Sequence, residues 1–186
     1  FGSAERGSYR FIARDGQELV TELAPMPPGY SPEWRGALTS SGVLPARYQQ
    51  NRDQDYWYEY LPESKTLYFK YNRCAGMLTF SGFNKEMWRF IDSHDVDRLV
   101  VDLRDNGGGN STVLWPFTKS LKQHPDLNQQ GHLFVVVGRA TFSSAILNAI
   151  ELRQQTNAIF VGEHTGGKPN HFGEVKWFQL PNSHLT

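Results

Sequence analysis

The sequence lacks three features that usually assign a protein to a structural or functional class: paired cysteines, a long apolar run and an excess of charge of one sign. It holds a single cysteine, Cys74, among 186 residues, which excludes an intrachain disulfide framework and a cysteine-rich zinc site. No apolar run approaches the roughly 20 residues of a membrane-spanning helix, so no membrane insertion is expected. The 19 basic side chains balance 19 acidic ones, which argues against a nucleic-acid-binding protein or a polybasic membrane-surface protein.

The length and the 39% apolar content fit a globular protein with a sizeable core. We expect residues 1–50, which are polar and rich in turn formers, to form a hairpin and linker arm around the turn signal Asp15-Gly16. Residues 51–186 are then the main domain. Because the chain begins without a methionine or a signal peptide and stops just after an expected strand, we expect that domain to be incomplete at both ends.

Strand and helix patterns alternate along the main domain. Aromatic or apolar runs predict strands at 56–61, 66–71, 99–103, 133–137, 158–161 and 175–180, and helical spacing predicts helices at 83–93, 110–121 and 143–154. The expected fold class is therefore α/β, with a mostly parallel sheet and helices on its faces. Ligand sites in such sheets lie beyond the carboxyl ends of the strands, where the loops 104–110 and 138–144 fall.

The first of these loops, 104–110, contains Gly107, Gly108 and Gly109 in a row. Glycines let the backbone approach a ligand closely, and main-chain N–H groups backed by a helix N-terminus can hold negative charge. A tight strand-to-helix turn is the plainer interpretation, although it needs only one glycine. The loop does not reveal whether the anion is a phosphate or an oxyanion.

A phosphate-binding loop is the obvious rival, and residues 162–168 come close to one. They fit the pattern Gly-x-x-x-x-Gly-Lys, but Pro169 follows where the motif needs a Ser or Thr hydroxyl for magnesium. Nucleotide binding is therefore disfavoured, and no cofactor is expected. No pair of histidines has a convincing metal-ligand spacing, so no metal is expected either.

The second loop carries Thr141, Phe142, Ser143 and Ser144 between an apolar strand and a predicted helix. A hydroxyl there meets the positive end of the helix dipole, which stabilises an incipient alkoxide. Serine is also a common helix N-cap, and a cap is the plainer interpretation of the turn taken alone. The esterase elbow Gly-x-Ser-x-Gly is absent.

Three segments in order resemble the tail-specific, or C-terminal-processing, serine proteases. Residues 99–109 are similar to the family's strand and glycine turn, 141–145 to its nucleophile turn, and 160–168 to its Val-Gly-Glu-x-Thr-x-Gly-Lys segment. The resemblance implies a ClpP/crotonase-like α/β fold and a hydrolase that cleaves peptide or protein substrates. It makes 51–186 a protease-like catalytic core, without the PDZ domain of classical members.

The resemblance also implies roles for individual residues. Ser143 corresponds to the nucleophile, with Ser144 as the competing choice, and Lys168 to the general base of a serine–lysine dyad. The amide of Ser144 and a glycine amide, at Gly108 or Gly109, would form the oxyanion hole.

The identity of the base stays open. Classical members carry a glutamine soon after the lysine, where this chain has Phe172. A second branch of the family uses a histidine and a glutamate, which here would lie outside the chain. His164 or His171, close to Lys168 in sequence, could also serve.

A rival interpretation is a protein that has the same fold but no catalytic activity. Retinoid-binding repeats resemble the same family, so the chain could be an inactive binding module that holds a hydrophobic ligand or a peptide. The aromatic residues of 56–60 and 68–71 could line its pocket, although sheet packing is the preferred explanation for them. Family resemblance alone suggests an extracytoplasmic location, and the sequence does not indicate an oligomeric state.

Overall fold

In the first unit of the chain the turn signal forms the hairpin that the sequence predicts. The structure is a computed structural model that describes residues 6–26, 45–170 and 178–185, and the chain divides into two compact units, Phe1–Leu44 and Pro45–Thr186. Strands β1 (Gly7–Ile12) and β2 (Glu18–Leu23) pair antiparallel. Gly16, at φ 85°, supplies the left-handed position of the connecting turn.

The second unit is built on a five-stranded sheet. Its strands are β3 (Tyr56–Leu61), β4 (Thr66–Tyr71), β5 (Arg98–Asp102), β6 (Leu133–Val137) and β7 (Ile159–Gly162), which lie in that order across the sheet. The β3–β4 pair is antiparallel and the other three pairs are parallel. The expected α/β class with a mostly parallel sheet is confirmed.

Three helices accompany the sheet in the described part of this unit: α1 (Met77–Ser93), α2 (Trp115–Leu121) and α3 (Ser144–Gln155). Helix α1 starts at Met77, whereas the sequence pattern predicted a start at residue 83. The predicted start was too late because the buried Asn84 interrupts the apolar pattern of the helix's inner face. A 3₁₀ turn, Ser111–Leu114, occupies the first part of the predicted 110–121 helix, and Pro116 stands in the first turn of α2, where its missing N–H costs nothing.

The last predicted strand, 175–180, falls largely on residues 171–177, outside the described residues, and residues 178–180 are not in a strand. Of the helices within 6–26, 45–170 and 178–185, none is long and apolar enough to cross a membrane.

The core lies between the helices and one face of the sheet. Alternate residues of each strand point to it, among them Leu67, Phe69, Tyr71, Leu99, Val101, Leu103, Leu133 and Val135, all fully or almost fully buried. Tyr56 and Tyr58 of β3 pack against Phe83 of α1 with ring centroids 4.7 and 5.7 Å apart. Sheet-to-helix packing therefore accounts for these aromatic residues.

The sheet topology decides which loops meet. Strands β5 and β6 are parallel neighbours, with Val101 opposite Val135. Their carboxyl ends therefore reach the same edge of the sheet, and the loops that follow, 103–110 and 138–143, leave it side by side.

A buried ionic cluster lies on the other face of the sheet. Lys70 and Asp102 are both fully buried, and Lys70 Nζ lies 3.3 Å from Asp102 Oδ1 and 2.6 Å from Asp105 Oδ2. Asp102 also accepts hydrogen bonds from Tyr68 and from the Arg104 guanidinium. Burial alone would raise the pKa of the Asp102 carboxyl, but the Arg104 hydrogen bonds and the Lys70 charge outweigh it and hold that pKa below its usual value.

Arg104→Gln should make the protein unfold at a higher pH. A carboxyl whose folded pKa lies below its unfolded value, about 3.9, contributes stability above that value and loses it as the pH falls through the folded pKa. Loss of the guanidinium raises the folded pKa of Asp102, so the acid-unfolding midpoint, followed by circular dichroism, should rise by about one pH unit. Arg89→Gln, at an exposed position of α1, is the control. Identical midpoints for the two variants would contradict this account of the cluster.

Candidate active site

The glycine turn and the serine turn are in direct contact. A Cβ atom on Gly108, whose φ is 109°, would lie 2.7 Å from Ser143 Cβ and 3.0 Å from Ser144 N. The Phe142 N–H donates to the Asn106 carbonyl at 2.9 Å, which ties the two turns together. Only glycine fits at 108, so the run of glycines serves the approach of one turn to the other.

Ser143 stands at the start of α3 in a strained conformation. Its φ of 52° and ψ of −127° lie where side chains other than glycine are disfavoured. The residue occupies the N-cap position, yet its side chain makes no capping hydrogen bond, and it is half-buried. The helix-cap interpretation therefore does not describe its hydroxyl, which sits at the positive end of a 12-residue helix.

Ser144 is in a different situation. The residue is buried, with 1% of its surface exposed, and its Oγ donates to the Gly109 carbonyl at 2.6 Å. This hydroxyl therefore has a structural task, which is to hold the first turn of α3 to the glycine turn. Of the two serine side chains, Ser143 is therefore the less buried, and its hydroxyl is the more accessible one.

The main-chain N–H groups of the glycine turn face in different directions. The Gly108 N–H donates to Asn106 Oδ1 at 2.9 Å. Around Gly109, the Gly108 carbonyl accepts from Cys74 N–H and Asn110 N–H donates to the Cys74 carbonyl, which makes a parallel bridge between Cys74 and Gly109. In such a bridge the central residue's own N–H and C=O point away from the partner.

The Gly109 carbonyl does point away from Cys74, because it meets the Ser144 hydroxyl. The Gly109 N–H is therefore directed to the same side, toward the start of α3. Of the two glycine amides considered in the sequence, the one at 109 faces the serine turn and the one at 108 is bound to Asn106.

A third loop, 162–168, runs beside the serine turn. The Gly166 N–H donates to the Thr141 carbonyl at 2.9 Å, and a Cβ on Gly167 would lie 3.0 Å from the Phe142 ring. Lys168 follows next along this path, and its side chain is exposed. His164 in the same loop is exposed too, whereas His171 lies outside the described residues.

A groove of about 640 Å³ lies between α3 and the edge strand β7. Ile146, Ile150 and Phe160 give it apolar walls, and Arg153 and His164 stand at its border. The groove begins one helical turn beyond Ser143, so a chain bound at the serine could place a side chain in it.

Sequence reasoning missed two residues of this region. Asn106 and Cys74 are both buried, and each contacts the glycine turn through a side-chain or main-chain hydrogen bond. The Asp-Asn-Gly string does signal a turn in which a side chain bonds the backbone two residues on. The bridge to Cys74 had no local signal, because its partner is distant in the sequence.

Across the part of the chain that the structure describes, no group of three or more His, Cys, Asp or Glu side chains is arranged to hold a metal ion.

No protein-family model matches the chain, and no curated protein matches it. Among solved structures it is similar to a Parabacteroides merdae protein described only as a candidate peptidase (16% identity, 61% of this chain and 44% of that chain, TM-score 0.47). It is also similar to a Streptococcus agalactiae lipoprotein (15% identity, 69% of this chain and 55% of that chain, TM-score 0.47). A third similar structure is a photosystem II D1 C-terminal processing protease (14% identity, 90% of this chain and 46% of that chain, TM-score 0.47). The chain spans about half the length of these structures, and likenesses of this size assign no residue of the site.

Ser143→Gly should be more stable than Ser143→Ala by about 1–2 kcal/mol. Both variants lose the hydroxyl, but only glycine adopts a φ of 52° without strain. Urea unfolding of the two variants measures the difference. Equal stabilities would show that the turn relaxes away from the strained conformation.

Ser144→Ala should destabilise the protein by about 1 kcal/mol relative to the parent, because the Gly109 carbonyl loses its donor. Ser143→Ala, which removes a hydroxyl that caps nothing, should change the free energy of unfolding by less than Ser144→Ala does. A larger loss of stability in Ser143→Ala than in Ser144→Ala would contradict the structural role of the Ser144 hydroxyl.

Proposed function

We propose that the second unit is a serine-type peptidase core in which Ser143 is the nucleophile. Its Oγ attacks a peptide carbonyl, the C–N bond breaks as the leaving amine takes a proton, and water then hydrolyses the acyl-enzyme. The observation that carries the proposal is the strained Ser143, whose half-buried hydroxyl caps nothing and whose Cβ would lie 2.7 Å from a Cβ on Gly108 of the glycine turn.

The oxyanion hole of the proposal consists of two main-chain donors. The Ser144 N–H is the first in α3, where it has the helix dipole behind it, and the Gly109 N–H is directed to the same side of the glycine turn. Removal of one such donor costs on the order of 10²–10³ in kcat. Because Gly108 N–H already donates to Asn106, Gly109 is the better candidate of the two glycines.

Lys168 is the general base that the resemblance suggests, and the path of its loop supports it. The Gly166 N–H donates to the Thr141 carbonyl and Gly167 lies against Phe142, so Lys168 directly follows a segment that contacts the serine turn. A lysine takes a proton only in its neutral form, which desolvation favours. Since Lys168 is exposed, the proposal requires that bound substrate covers it. A histidine outside the chain is the alternative base.

A peptide or protein is the substrate class of this proposal. Among the residues that the structure describes, β7 is the outermost strand of the sheet, and an extended peptide can pair with such a strand. The groove beside it, with Ile146, Ile150 and Phe160 in its walls, suits an apolar side chain of the peptide.

The same groove supports a second candidate function, an inactive module that binds a hydrophobic ligand or a peptide. The apolar walls of Ile146, Ile150 and Phe160 favour it, because a hydrophobic ligand or side chain is removed from water when it packs against them. In that case Ser143 contributes no chemistry, and ligand binding at the groove proceeds equally well without its hydroxyl.

A fluorophosphonate probe distinguishes the two functions. The peptidase predicts covalent labelling that Ser143→Ala abolishes and Ser144→Ala retains, because only the first of the two removes the attacking oxygen. Lys168→Ala should slow labelling by about 10²-fold if this lysine is the base. Lys85→Ala, at an exposed position of α1, is the matched control and should label at the parent rate.

Labelling that survives in Ser143→Ala would contradict the assignment of the nucleophile. An unlabelled parent protein would contradict the peptidase and favour the binding module. Unchanged labelling in Lys168→Ala would leave the nucleophile in place and remove the lysine from the mechanism.

A further inference from the structure

Asn106 contacts both turns of the site from a position with no exposed surface. Its Oδ1 accepts the Gly108 N–H at 2.9 Å, its Nδ2 donates to the Tyr71 carbonyl at 3.0 Å, and its main-chain carbonyl accepts the Phe142 N–H at 2.9 Å. Its own N–H donates to the Leu103 carbonyl at 3.0 Å. One residue thus joins the end of β4, the glycine turn and the residue before Ser143.

These bonds determine the direction of the glycine amides. The Asn106 Oδ1 holds the 107–108 peptide through the Gly108 N–H, and the Cys74 N–H holds the adjoining 108–109 peptide through the Gly108 carbonyl at 3.0 Å, so the two peptides on either side of Gly108 are fixed together. The Gly109 N–H belongs to the 108–109 peptide, so it is fixed as well. The side chain of Asn106 therefore acts on the amide next to the one it binds.

We propose that Asn106 is a positioning residue that presents the Gly109 N–H to the oxyanion and fixes Ser143 opposite it. The inference rests on the peptidase proposed above. Asn106 itself does not touch the reacting atoms. It holds the Gly108 N–H out of the site through its side chain and sets the distance between the two turns through its carbonyl.

Loss of the side chain has a specific consequence at this position. Without Oδ1 and Nδ2, the Gly108 N–H and the Tyr71 carbonyl both lose a buried partner, and the glycine turn can rotate toward other donors and acceptors. The Gly109 N–H then no longer faces one fixed point. An oxyanion hole depends on donors that are oriented before the reaction, so the rate falls although the serine is still present.

The test compares rates of fluorophosphonate labelling in three variants of the purified protein. Asn106→Ala should lower the second-order labelling rate by about 10²-fold, the effect of one lost oxyanion donor. Asn84→Ala is the matched control: it removes a buried amide that accepts from the Trp88 Nε1–H on α1, away from the site, and should label at the parent rate despite lost stability. Circular dichroism verifies that each variant is folded.

Asn106→Asp supplies a readout that a merely structural residue would not move. A protonated carboxyl can accept from Gly108 N–H and donate to the Tyr71 carbonyl, as the amide does, whereas the carboxylate cannot donate. The ratio of this variant's labelling rate to the parent rate should therefore rise as the pH falls from about 8 to about 5. The neighbouring Cys74 thiol stays neutral in that range, because burial raises its pKa to about 11.

Labelling of folded Asn106→Ala within about threefold of the parent rate would overturn the positioning role and leave the peptidase standing. Equal slowing in Asn84→Ala, or a rate ratio for Asn106→Asp that does not change with pH, would overturn it too. A parent protein that is not labelled at all would overturn the peptidase and this inference together.

Discussion

The close contact between Gly108 and Ser143 is the constraint on which the site depends. No side chain fits between the two turns, since a Cβ at 108 would fall 2.7 Å from Ser143 Cβ. Two hydrogen bonds stabilise the contact. The Phe142 N–H donates to the Asn106 carbonyl, and the Ser144 hydroxyl donates to the Gly109 carbonyl. The parallel pairing of β5 and β6 brings the turns to the same edge, and these hydrogen bonds close the remaining distance.

Stability and proposed chemistry depend on different groups of side chains near the carboxyl end of β5. On one face Lys70 and Asp102 are fully buried with the partly exposed Arg104 beside them, and breaking such a cluster leaves an uncompensated charge. At the carboxyl edge, Ser143 keeps a strained backbone and a hydroxyl that the fold does not use. Strain of this kind persists only where the surroundings enforce it, and the glycine turn is what enforces it here.

The sequence predicted the elements of this fold well because their patterns are local. The bounds of β3, β4 and β6 agree with the aromatic and apolar runs, and the start of α3 was displaced by one residue. The start of α1 was missed because Asn84 is a buried polar residue that bonds Trp88, which no apolar periodicity shows. The strand expected at 175–180 falls largely outside the described residues.

The site was predictable in its parts and not in its arrangement. The glycine run and the paired serines marked two loops that do meet, because parallel strands place such loops at one edge. The hydrogen bond from Ser144 to Gly109 decides which serine is accessible, and it joins residues far apart in the sequence. The hydrogen bond from the Gly108 N–H to Asn106 decides which glycine amide is left to face that serine. The role of Lys168 depends on what covers it, which local sequence does not determine.

A crystal structure of the protein after reaction with a fluorophosphonate tests the central claim most directly. The account predicts a phosphorus atom bound to Ser143 Oγ, with its P=O oxygen about 2.7–3.1 Å from the Ser144 and Gly109 nitrogens. An adduct on another side chain, or one on Ser143 whose oxygen points to solvent away from both amides, would contradict it.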